Sequence, residues 1–358
     1  MSGWTTRTLA SVTSRLFGGK NINQPFSLGR LAASARRVLI VPPDGLAEAL
    51  LIYPALSLLR IGLPDARLIC VVQAGQREIL TTDSMVDDLV ELPRVRGTRG
   101  LWAYRAFVSE IRDRMIEAVF YFDFRHDFCR LMLPILSGAR LRVRLKGDIG
   151  HPLFNVEVIP GAGLTYVNDL NLCLVRFLSR DEPEVSSWHL PEKEAKIAKE
   201  IVRFRKPDPA DLMIGVDLSF GKSREKPPLD IEIRLARSFA ALKPSSLTLL
   251  SDHEPAVSDE EIRRLGPYDW LDIPRKSFRD TLGILSQCDC LISGNTNLFH
   301  FAVAMGVPAF ALFSERDDRR WVPRQGNFQV VEQAVWTSTS PAKLAMKMRD
   351  FLHAATRV

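Results

Sequence analysis

The sequence predicts an α/β protein of two domains, each built on a parallel sheet that is covered by helices. Short apolar runs alternate with stretches of helical periodicity along nearly the whole chain, a pattern typical of parallel strands joined by helical crossovers. The alternation loosens between about residues 145 and 210, where glycines and prolines cluster, and then restarts. A length of 358 residues is also ample for two domains of ordinary size.

Each apolar run predicts a strand, and each periodic stretch between runs predicts a helix. In the first half, the predicted strands are 36–41, 66–72, 88–92 and 118–123, and the predicted helices are 46–61, 101–115 and 125–137. In the second half, the strands are 212–218, 246–251, 270–273, 289–293 and 307–313, and the helices are 229–242, 257–265, 278–287 and 297–305. A last helix, within 341–358, has one apolar side, and we expect it to dock across the two domains.

Composition and charge exclude several classes of protein. With 46% hydrophobic and 25% charged residues, the chain is neither disordered, nor collagen-like, nor a disulfide scaffold. No apolar run reaches 18 residues, so a membrane-spanning helix is not expected. Residues 1–37 hold six of the 48 Lys and Arg residues and no acid. The remaining 321 residues are therefore formally neutral, and the net charge of +6 belongs to the N-terminal segment.

Residues 1–35 form a basic N-terminal arm. Apolar side chains such as Trp4, Leu9 and Leu16 are interleaved with its positive charges at roughly helical spacing. Such a segment can lie on an anionic membrane surface or on a nucleic acid. The alternatives are an arm with little order and an arm packed on its own domain. A secretory signal is not indicated, because no apolar segment of suitable length follows the charges.

Five cysteines are scattered along the chain, mostly within apolar runs. An odd, dispersed set indicates buried free thiols in a reducing compartment. The pair Cys288 and Cys290 is too closely spaced and too isolated for a zinc site, which needs four ligands. We expect no metal site.

The loop after the first predicted strand carries a candidate general base. Pro42 and Pro43 stop the strand, Asp44-Gly45 turns the chain, and a helix with Glu48 in its first turn follows. Ligands of such sheets bind beyond the carboxyl ends of the strands, so a carboxylate here can take a proton from a substrate hydroxyl. The alternative is an acid that only stabilises the positive end of its helix.

A second loop, within 292–313, carries a candidate anion site. The turn Asn295-Thr296-Asn297 caps a helix that contains His300, and Gly306 closes that helix. Free N–H groups at the start of a helix bind anions such as a diphosphate. A capped helix without a ligand is the alternative, and His300 alone is more often structural than catalytic.

A third loop, 217–230, contains many hydrogen-bond donors, including Lys222 and Lys226, which suit a phosphate. The alternative is solvated surface charge. The chain lacks both GxxxxGK[ST] and a GxGxxG at a strand–helix junction, so neither a P-loop nucleotidase nor a nicotinamide dehydrogenase is supported.

Three segments resemble glycosyltransferase family 9, the lipopolysaccharide heptosyltransferases. RRVLIV followed by DGLAEALLIYPALSLLRIGLPDARLICVV is similar to the opening of the family, and CRLMLPILSGARLRVRLKG is similar to a segment ending in L-x-G-A-x-x-R-I-G. CDCLISGNTNLFHFAVAMGVPAFALF resembles the signature with D-[ST]-G-x-x-H. The resemblance extends in order from about residue 36 to residue 323.

This resemblance implies a GT-B architecture, in which two Rossmann-like domains face each other across a ligand cleft. Residues 36–185 would bind the acceptor and 186–340 the nucleotide-sugar. The implied reaction is an inverting, metal-independent transfer without a cofactor, from ADP-heptose in most family members to a lipopolysaccharide-type or other glycan acceptor. We expect a cytoplasmic protein, peripheral on the inner face of the membrane, with the arm on an anionic surface. A nucleic acid partner is not expected, because no aromatic-rich basic platform continues into the neutral body.

The resemblance also assigns roles to residues. Glu48 lies where the family has its catalytic Asp, and Asp44 and Gly45 lie on the acceptor side. The donor-binding residues that it implies are Lys226, Glu254, Asn295, Thr296 and His300, to which the donor-rich loop adds Lys222 and the predicted helix start adds Asn297.

The chain departs from the family pattern at four places. Glu48 replaces Asp, Asn295 replaces Asp, Asn297 replaces Gly, and 217–219 replaces H-P-G. Two hypotheses follow. The first is an inverting glycosyltransferase with Glu48 as the base. The second is a catalytically silent GT-B protein that binds a nucleotide-sugar or glycolipid as a scaffold, which the departures favour and the retention of Lys226 and His300 opposes.

Overall fold

The computed structural model describes most of the chain in two compact units, Met1–Ser186 and Ser187–Val358. The described residues are 28–29, 34–80, 85–95, 97–122, 127–148, 153–179, 188–219, 229–252, 270–271, 273 and 277–355. Within these ranges, none of the helices combines the length and apolar character needed to cross a membrane.

The first unit contains a six-stranded parallel sheet in the order β3-β2-β1-β4-β5-β6. Its strands are β1 (Arg37–Val41), β2 (Arg67–Val72), β3 (Asp88–Glu91), β4 (Ala118–Tyr121), β5 (Leu141–Leu145) and β6 (Val156–Val158). All five strand pairs are parallel. The order reverses direction at β1, which lies between β2 and β4. This is the strand order of dinucleotide-binding Rossmann folds, and ligands bind at such a reversal, beyond the carboxyl ends of the strands.

Helices connect these strands and cover the sheet. They are α1 (Leu46–Leu50), α2 (Tyr53–Gly62), α3 (Ala74–Leu80), α4 (Gly97–Asp113), α5 (Phe128–Leu136) and α6 (Val167–Val175). Apolar side chains of β1 to β4 pack with those of α4 and α5 in one continuous core. The loop after β1 therefore follows a strand whose last four residues are buried.

The second unit contains a five-stranded parallel sheet in the order β11-β10-β9-β7-β8. Its strands are β7 (Leu212–Asp217), β8 (Ser245–Leu250), β9 (Cys290–Ser293), β10 (Ala309–Phe313) and β11 (Phe328–Glu332). Here the order reverses at β7, between β8 and β9, as in flavodoxin-like sheets. The loops after β7 and β9 consequently meet at the second candidate ligand edge.

The helices of the second unit are α7 (Glu192–Arg205), α8 (Leu229–Leu242), α9 (Phe278–Leu285), α10 (Asn297–Ala304), α11 (Gln333–Ser338) and α12 (Pro341–Ala355). The apolar side of α12, including Leu344 and Met348, packs with α8 and the sheet of this unit. Docking of α12 across both domains stays a prediction.

The prediction of one continuous helix over 46–61 is wrong. The structure has two helices there, α1 and α2, separated at residues 51–52. Pro54 has no N–H group to donate to the carbonyl of Leu50, and its ring disfavours helical backbone just before it. The break makes α1 a single five-residue turn that carries Glu48 at the end of β1.

Strand β5 was not predicted, because Arg142 and Arg144 interrupt its apolar residues. Both arginines are nevertheless buried. Arg142 donates from Nε to the Leu153 carbonyl at 2.9 Å and from Nη1 to the Ala139 carbonyl at 2.8 Å. Arg144 lies over the ring of Phe154, 4.9 Å from its centre. Burial lowers the pKa of Arg142 to about 10.

Other differences are smaller. Strands β6 and β11 and helices α3 and α11 were not predicted, and 270–273 contributes one bridge, from Trp270 to Leu247, where a strand was expected. The predicted helix 257–265 lies outside the described residues. All five cysteines are free thiols, as predicted, and burial raises the pKa of the Cys70, Cys288 and Cys290 thiols.

Candidate functional site

The carboxyl edge of the first sheet carries Glu48 on the turn that follows β1. Glu48 is only 2% exposed, although it is a charged residue in the first turn of a short helix. Its side chain folds back over Gly45, so that a Cβ atom added at Gly45 would overlap the Glu48 carboxylate. Long side chains on helices point toward the N-terminal end, which explains this direction. The carboxylate thus lies against the loop 42–45, at the reversal point of the sheet.

Two side chains from other elements hold the loop 42–45 in place. Gln76 on α3 is buried and donates from Nε2 to the carbonyl of Pro43 at 2.5 Å and to that of Gly45 at 3.2 Å. Arg130 on α5 donates from Nη1 to the carbonyl of Pro42 at 2.5 Å. The loop is therefore held by the helices that follow β2 and β4, the two strands on either side of β1. These contacts favour a defined position for Glu48 and Asp44. Sequence reasoning missed both supports, because nothing near Gln76 or Arg130 indicates the distant carbonyls.

The second candidate edge is organised by Asp217, the last residue of β7, which is fully buried. Its carboxylate accepts hydrogen bonds from the backbone N–H of Ser219 at 2.7 Å, from the Ser293 hydroxyl at 2.7 Å and from the Thr296 hydroxyl. Asp217 therefore connects the loops after β7 and β9. The sequence predicted only that this position departs from the family's H-P-G.

Thr296 caps α10, as predicted, by accepting a hydrogen bond from the N–H of Phe299 at 3.3 Å. Because its hydroxyl proton is donated to Asp217, the donors that α10 can offer to an anion are its backbone N–H groups. At the other end of α10, Gly306 has a φ of 74°, the left-handed conformation that glycine adopts readily after a helix.

Asn297 links α10 to the loop after β8. Its Nδ2 donates to Asp252 at 2.6 Å, and the N–H of Asp252 donates to the Ser219 hydroxyl at 2.9 Å. The polar groups at the ends of three strands, β7, β8 and β9, thus form one network. Asn297 occupies a position where the family pattern has glycine. In this chain its side chain connects α10, which follows β9, to the loop after β8.

Asn295 and His300 form a second, adjacent chain of contacts. The Nδ2 of Asn295 lies 3.4 Å from Asp317 Oδ1, and its Oδ1 lies 3.3 Å from His300 Nε2. Since the Asp317 carboxylate only accepts, the Asn295 amide turns its oxygen to the histidine, where a proton on Nε2 of His300 can be donated to it. His300 is buried and its ring meets the edge of Trp321 with centroids 6.0 Å apart.

Three predicted donor-side residues, Lys222, Lys226 and Glu254, lie outside the described residues. Of the others, the structure brings Asn295, Thr296, Asn297 and His300 together at the edge of the second sheet. Glu48, Asp44 and Gly45 lie together at the edge of the first sheet.

Comparison with solved structures decides the fold. A glycosyltransferase family 9 protein from Veillonella parvula DSM 2008 superposes with a TM-score of 0.72 over 90% of this chain and 99% of its own, at 15% identity. The chain has the fold of glycosyltransferase family 9. Two E. coli proteins, ADP-heptose lps heptosyltransferase II and heptosyltransferase WaaC with ADP, give TM-scores of 0.67 and 0.64 at 14% and 15% identity. They match over 89% and 90% of this chain and 99% and 100% of their own.

These similarities are structural, since no protein-family model and no curated protein matches the sequence. The family 9 fold belongs to the GT-B class, and the two parallel α/β units described above conform to it. At positions 217, 295 and 297 this chain differs from the family pattern. The side chain at each of these positions makes a hydrogen bond to another described residue of the chain.

The Asn295 departure has a testable physical reason. An aspartate at 295 would bring a second carboxylate to about 3.4 Å from Asp317, with both side chains buried. We expect Asn295→Asp to lower the free energy of unfolding by about 1–3 kcal/mol, because like charges at this distance repel strongly in a buried site. The repulsion raises the pKa of the introduced carboxyl in the folded state. The loss is therefore small below about pH 4, the ordinary pKa of an unfolded aspartate, grows as the pH rises from there toward the folded pKa, and levels off above it.

Urea unfolding at pH 5 and pH 8 measures this effect. The double variant Asn295→Asp, Asp317→Asn exchanges the two groups and should recover most of the stability at pH 8. Equal losses in the single and double variants would show that charge repulsion at this pair is not the reason for Asn295.

Proposed function

We propose that this protein is an inverting, metal-independent glycosyltransferase that moves a sugar from a nucleotide-sugar to a glycan acceptor. The observation that carries the proposal is the position of Glu48, a buried carboxylate beside Gly45 at the reversal point of the first sheet, in a chain with the family 9 fold. In sheets of this class, ligands bind beyond the carboxyl ends of the strands, so a carboxylate at that position can reach a bound substrate.

In the proposed reaction, the Glu48 carboxylate takes the proton from an acceptor hydroxyl. The acceptor oxygen then forms a bond to the anomeric carbon of the donor, and the bond from that carbon to the diphosphate oxygen breaks with inversion. The electron pair leaves on the diphosphate, whose growing charge is stabilised by the N–H groups at the start of α10 and by Lys226. In the conformation described here Glu48 must turn away from Gly45 before a hydroxyl can reach it, because its side chain is 2% exposed.

An ADP-linked, heptose-like sugar is the proposed donor. Two structures with this fold are described as E. coli heptosyltransferase with ADP and with ADP-2-deoxy-2-fluoro heptose, with TM-scores of 0.64 and 0.61. We propose a lipopolysaccharide-type or other glycan as the acceptor and no metal or cofactor. We also propose a cytoplasmic, peripheral location at the inner face of the membrane, with the basic arm on an anionic surface; the arm lies almost entirely outside the described residues.

A thermal-shift panel of ADP-, GDP-, UDP- and CMP-linked sugars tests the proposed donor. A ligand at 100 times its dissociation constant stabilises a protein by about 2.7 kcal/mol, so the ADP-linked sugar should raise the melting temperature by a few degrees while the others do not. Lys226→Ala should weaken this shift, since it removes the cation assigned to the diphosphate. A panel with no stabilising nucleotide-sugar would contradict both donor binding and the proposed reaction.

A catalytically silent scaffold is the second candidate. It is favoured by one observation: the polar side chains at 217, 295 and 297 are hydrogen-bonded to other residues of this chain. This candidate predicts that a nucleotide-sugar stabilises the protein but that no sugar is transferred to any glycan acceptor and no nucleoside diphosphate is released.

A further inference from the structure

Helix α4 in the first unit exposes a large apolar and basic surface. Trp102 is 72% exposed and Leu101 is 60% exposed, near the start of this helix. Arg99 and Arg105 lie one turn before and one turn after Trp102, and both are exposed. We call Arg99, Leu101, Trp102 and Arg105 the Trp102 patch.

The residues of the Trp102 patch do not belong to the side of α4 that packs in the core. That core side is already packed: Gly100, Phe107 and Ile111 are buried, and Tyr104 and Val108 pack against the main core of the unit. On a helical projection, Trp102 points almost directly away from this buried stripe. The helix therefore has a complete core face, and Trp102 lies on the opposite, exposed side with Leu101 at its margin.

The charge around the patch has one sign. Residues 92–109 contain four arginines, at 94, 96, 99 and 105, and no acid. Within the part of the chain that the structure describes, Arg94, Arg99 and Arg105 take part in no ion pair. All three side chains are exposed, so this stretch presents positive charge to the solvent, and no carboxylate on it would repel an anionic partner.

The patch lies at the same edge of the sheet as Glu48. Strand β3 ends at Glu91, and α4 starts six residues later, so its first turns lie beside the carboxyl ends of the strands. The hydroxyl of Tyr104 donates to the carbonyl of Cys129 at 2.6 Å, and Cys129 is in the first turn of α5, which follows β4. Phe128, at the start of α5, is also 40% exposed.

We propose that the Trp102 patch docks the protein on an anionic phospholipid bilayer. Tryptophan and leucine beside arginines, on one face of a helix, suit the boundary between headgroups and acyl chains, where the rings insert and the guanidinium groups meet phosphates. A single aromatic ring beside an apolar leucine favours a bilayer over a nucleic acid, which would need several aromatic side chains along a basic groove for successive bases to stack on. Docking would turn the edge with Glu48 toward the membrane, and this inference does not depend on which reaction the protein catalyses.

Vesicle flotation with the full chain tests the proposal. Wild-type protein should float with vesicles of phosphatidylcholine containing 30% phosphatidylglycerol, and less with phosphatidylcholine alone or at high salt. Arg99→Gln with Arg105→Gln should lower the partition coefficient about 30-fold, roughly fivefold for each charge removed. Trp102→Ser should lower it about tenfold. Both sites are exposed, so the variants should melt at the wild-type temperature.

Phe204 offers a matched control. It is 87% exposed and lies between Arg203 and Arg205 at the end of α7, a helix of mixed charge on which Glu192, Glu194 and Glu200 alternate with Lys193, Lys196 and Lys199. Phe204→Ser should leave flotation unchanged. Three results would overturn the proposal: flotation of the Trp102 patch variants like wild type, which would leave the basic arm as the membrane contact; equal losses in the Phe204 variant; or wild-type binding to an oligonucleotide but not to acidic vesicles.

Discussion

Replacement of Glu48 by glutamine is expected to lower the turnover of glycosyl transfer by about 10²–10⁴-fold, the usual contribution of a positioned general base. Glutamine keeps the shape that fits over Gly45 and removes only the basicity. The affinity for the nucleotide-sugar should stay nearly unchanged, because the donor contacts are assigned to the second unit. Initial rates at saturating donor and the thermal shift with donor measure the two quantities separately.

Asp44→Asn is the control for this experiment. Asp44 lies on the same loop but is partly exposed, and it is four residues before Glu48. We expect a much smaller effect on turnover. If Asp44→Asn abolishes transfer while Glu48→Gln does not, the base is Asp44, and if neither changes the rate, no carboxylate of this loop serves as the base.

Removal of the Asp217 carboxylate is expected to have the largest effect on stability. Asp217→Ala would leave the N–H of Ser219 and the hydroxyl of Thr296 without this buried acceptor, while the Ser293 hydroxyl would keep the Gly294 carbonyl, at 3.1 Å. We expect the free energy of unfolding of the second unit to fall by about 3–5 kcal/mol, because unsatisfied buried donors cost about 1–3 kcal/mol each. Urea unfolding should show this as a shift of one transition, provided that the two units unfold separately.

Ser293→Ala removes one of those hydrogen bonds and should cost only about 1 kcal/mol. The comparison distinguishes a central acceptor from three independent contacts. An Asp217→Ala variant no less stable than Ser293→Ala would contradict the central role assigned to this residue.

The α/β architecture could be predicted from the sequence because its buried strands are nearly continuous apolar runs. Strands β1 and β7, for example, have burial that matches their apolar pattern almost residue by residue. Strand β5 escaped prediction for the opposite reason. Its two arginines are polar by type but buried by contacts with the Leu153 carbonyl and the Phe154 ring, which no local pattern reveals.

The candidate site was predictable where function depends on position along a strand or helix. The turn with Glu48 and the cap with Thr296 follow strands β1 and β9, so the rule that ligands bind beyond strand ends finds both. The partners of these residues were not predictable. Gln76 reaches the loop 42–45 from about 30 residues away, and Asp217 reaches Thr296 across 79 residues. Such pairs are defined by the packing of different elements.

The close fit of Glu48 over Gly45 limits how this loop can change. The backbone at Gly45, with φ of −97° and ψ of 158°, is one that any residue can adopt, so glycine is required there only by the carboxylate that lies over it. A side chain at position 45 and a glutamate folded back from position 48 exclude each other. A shorter acid at 48 would reach less far across the loop and would relax that exclusion. The dependence runs in one direction: a side chain at position 45 requires a shorter acid at 48 or a glutamate turned away from the loop, whereas glycine at 45 accepts either acid.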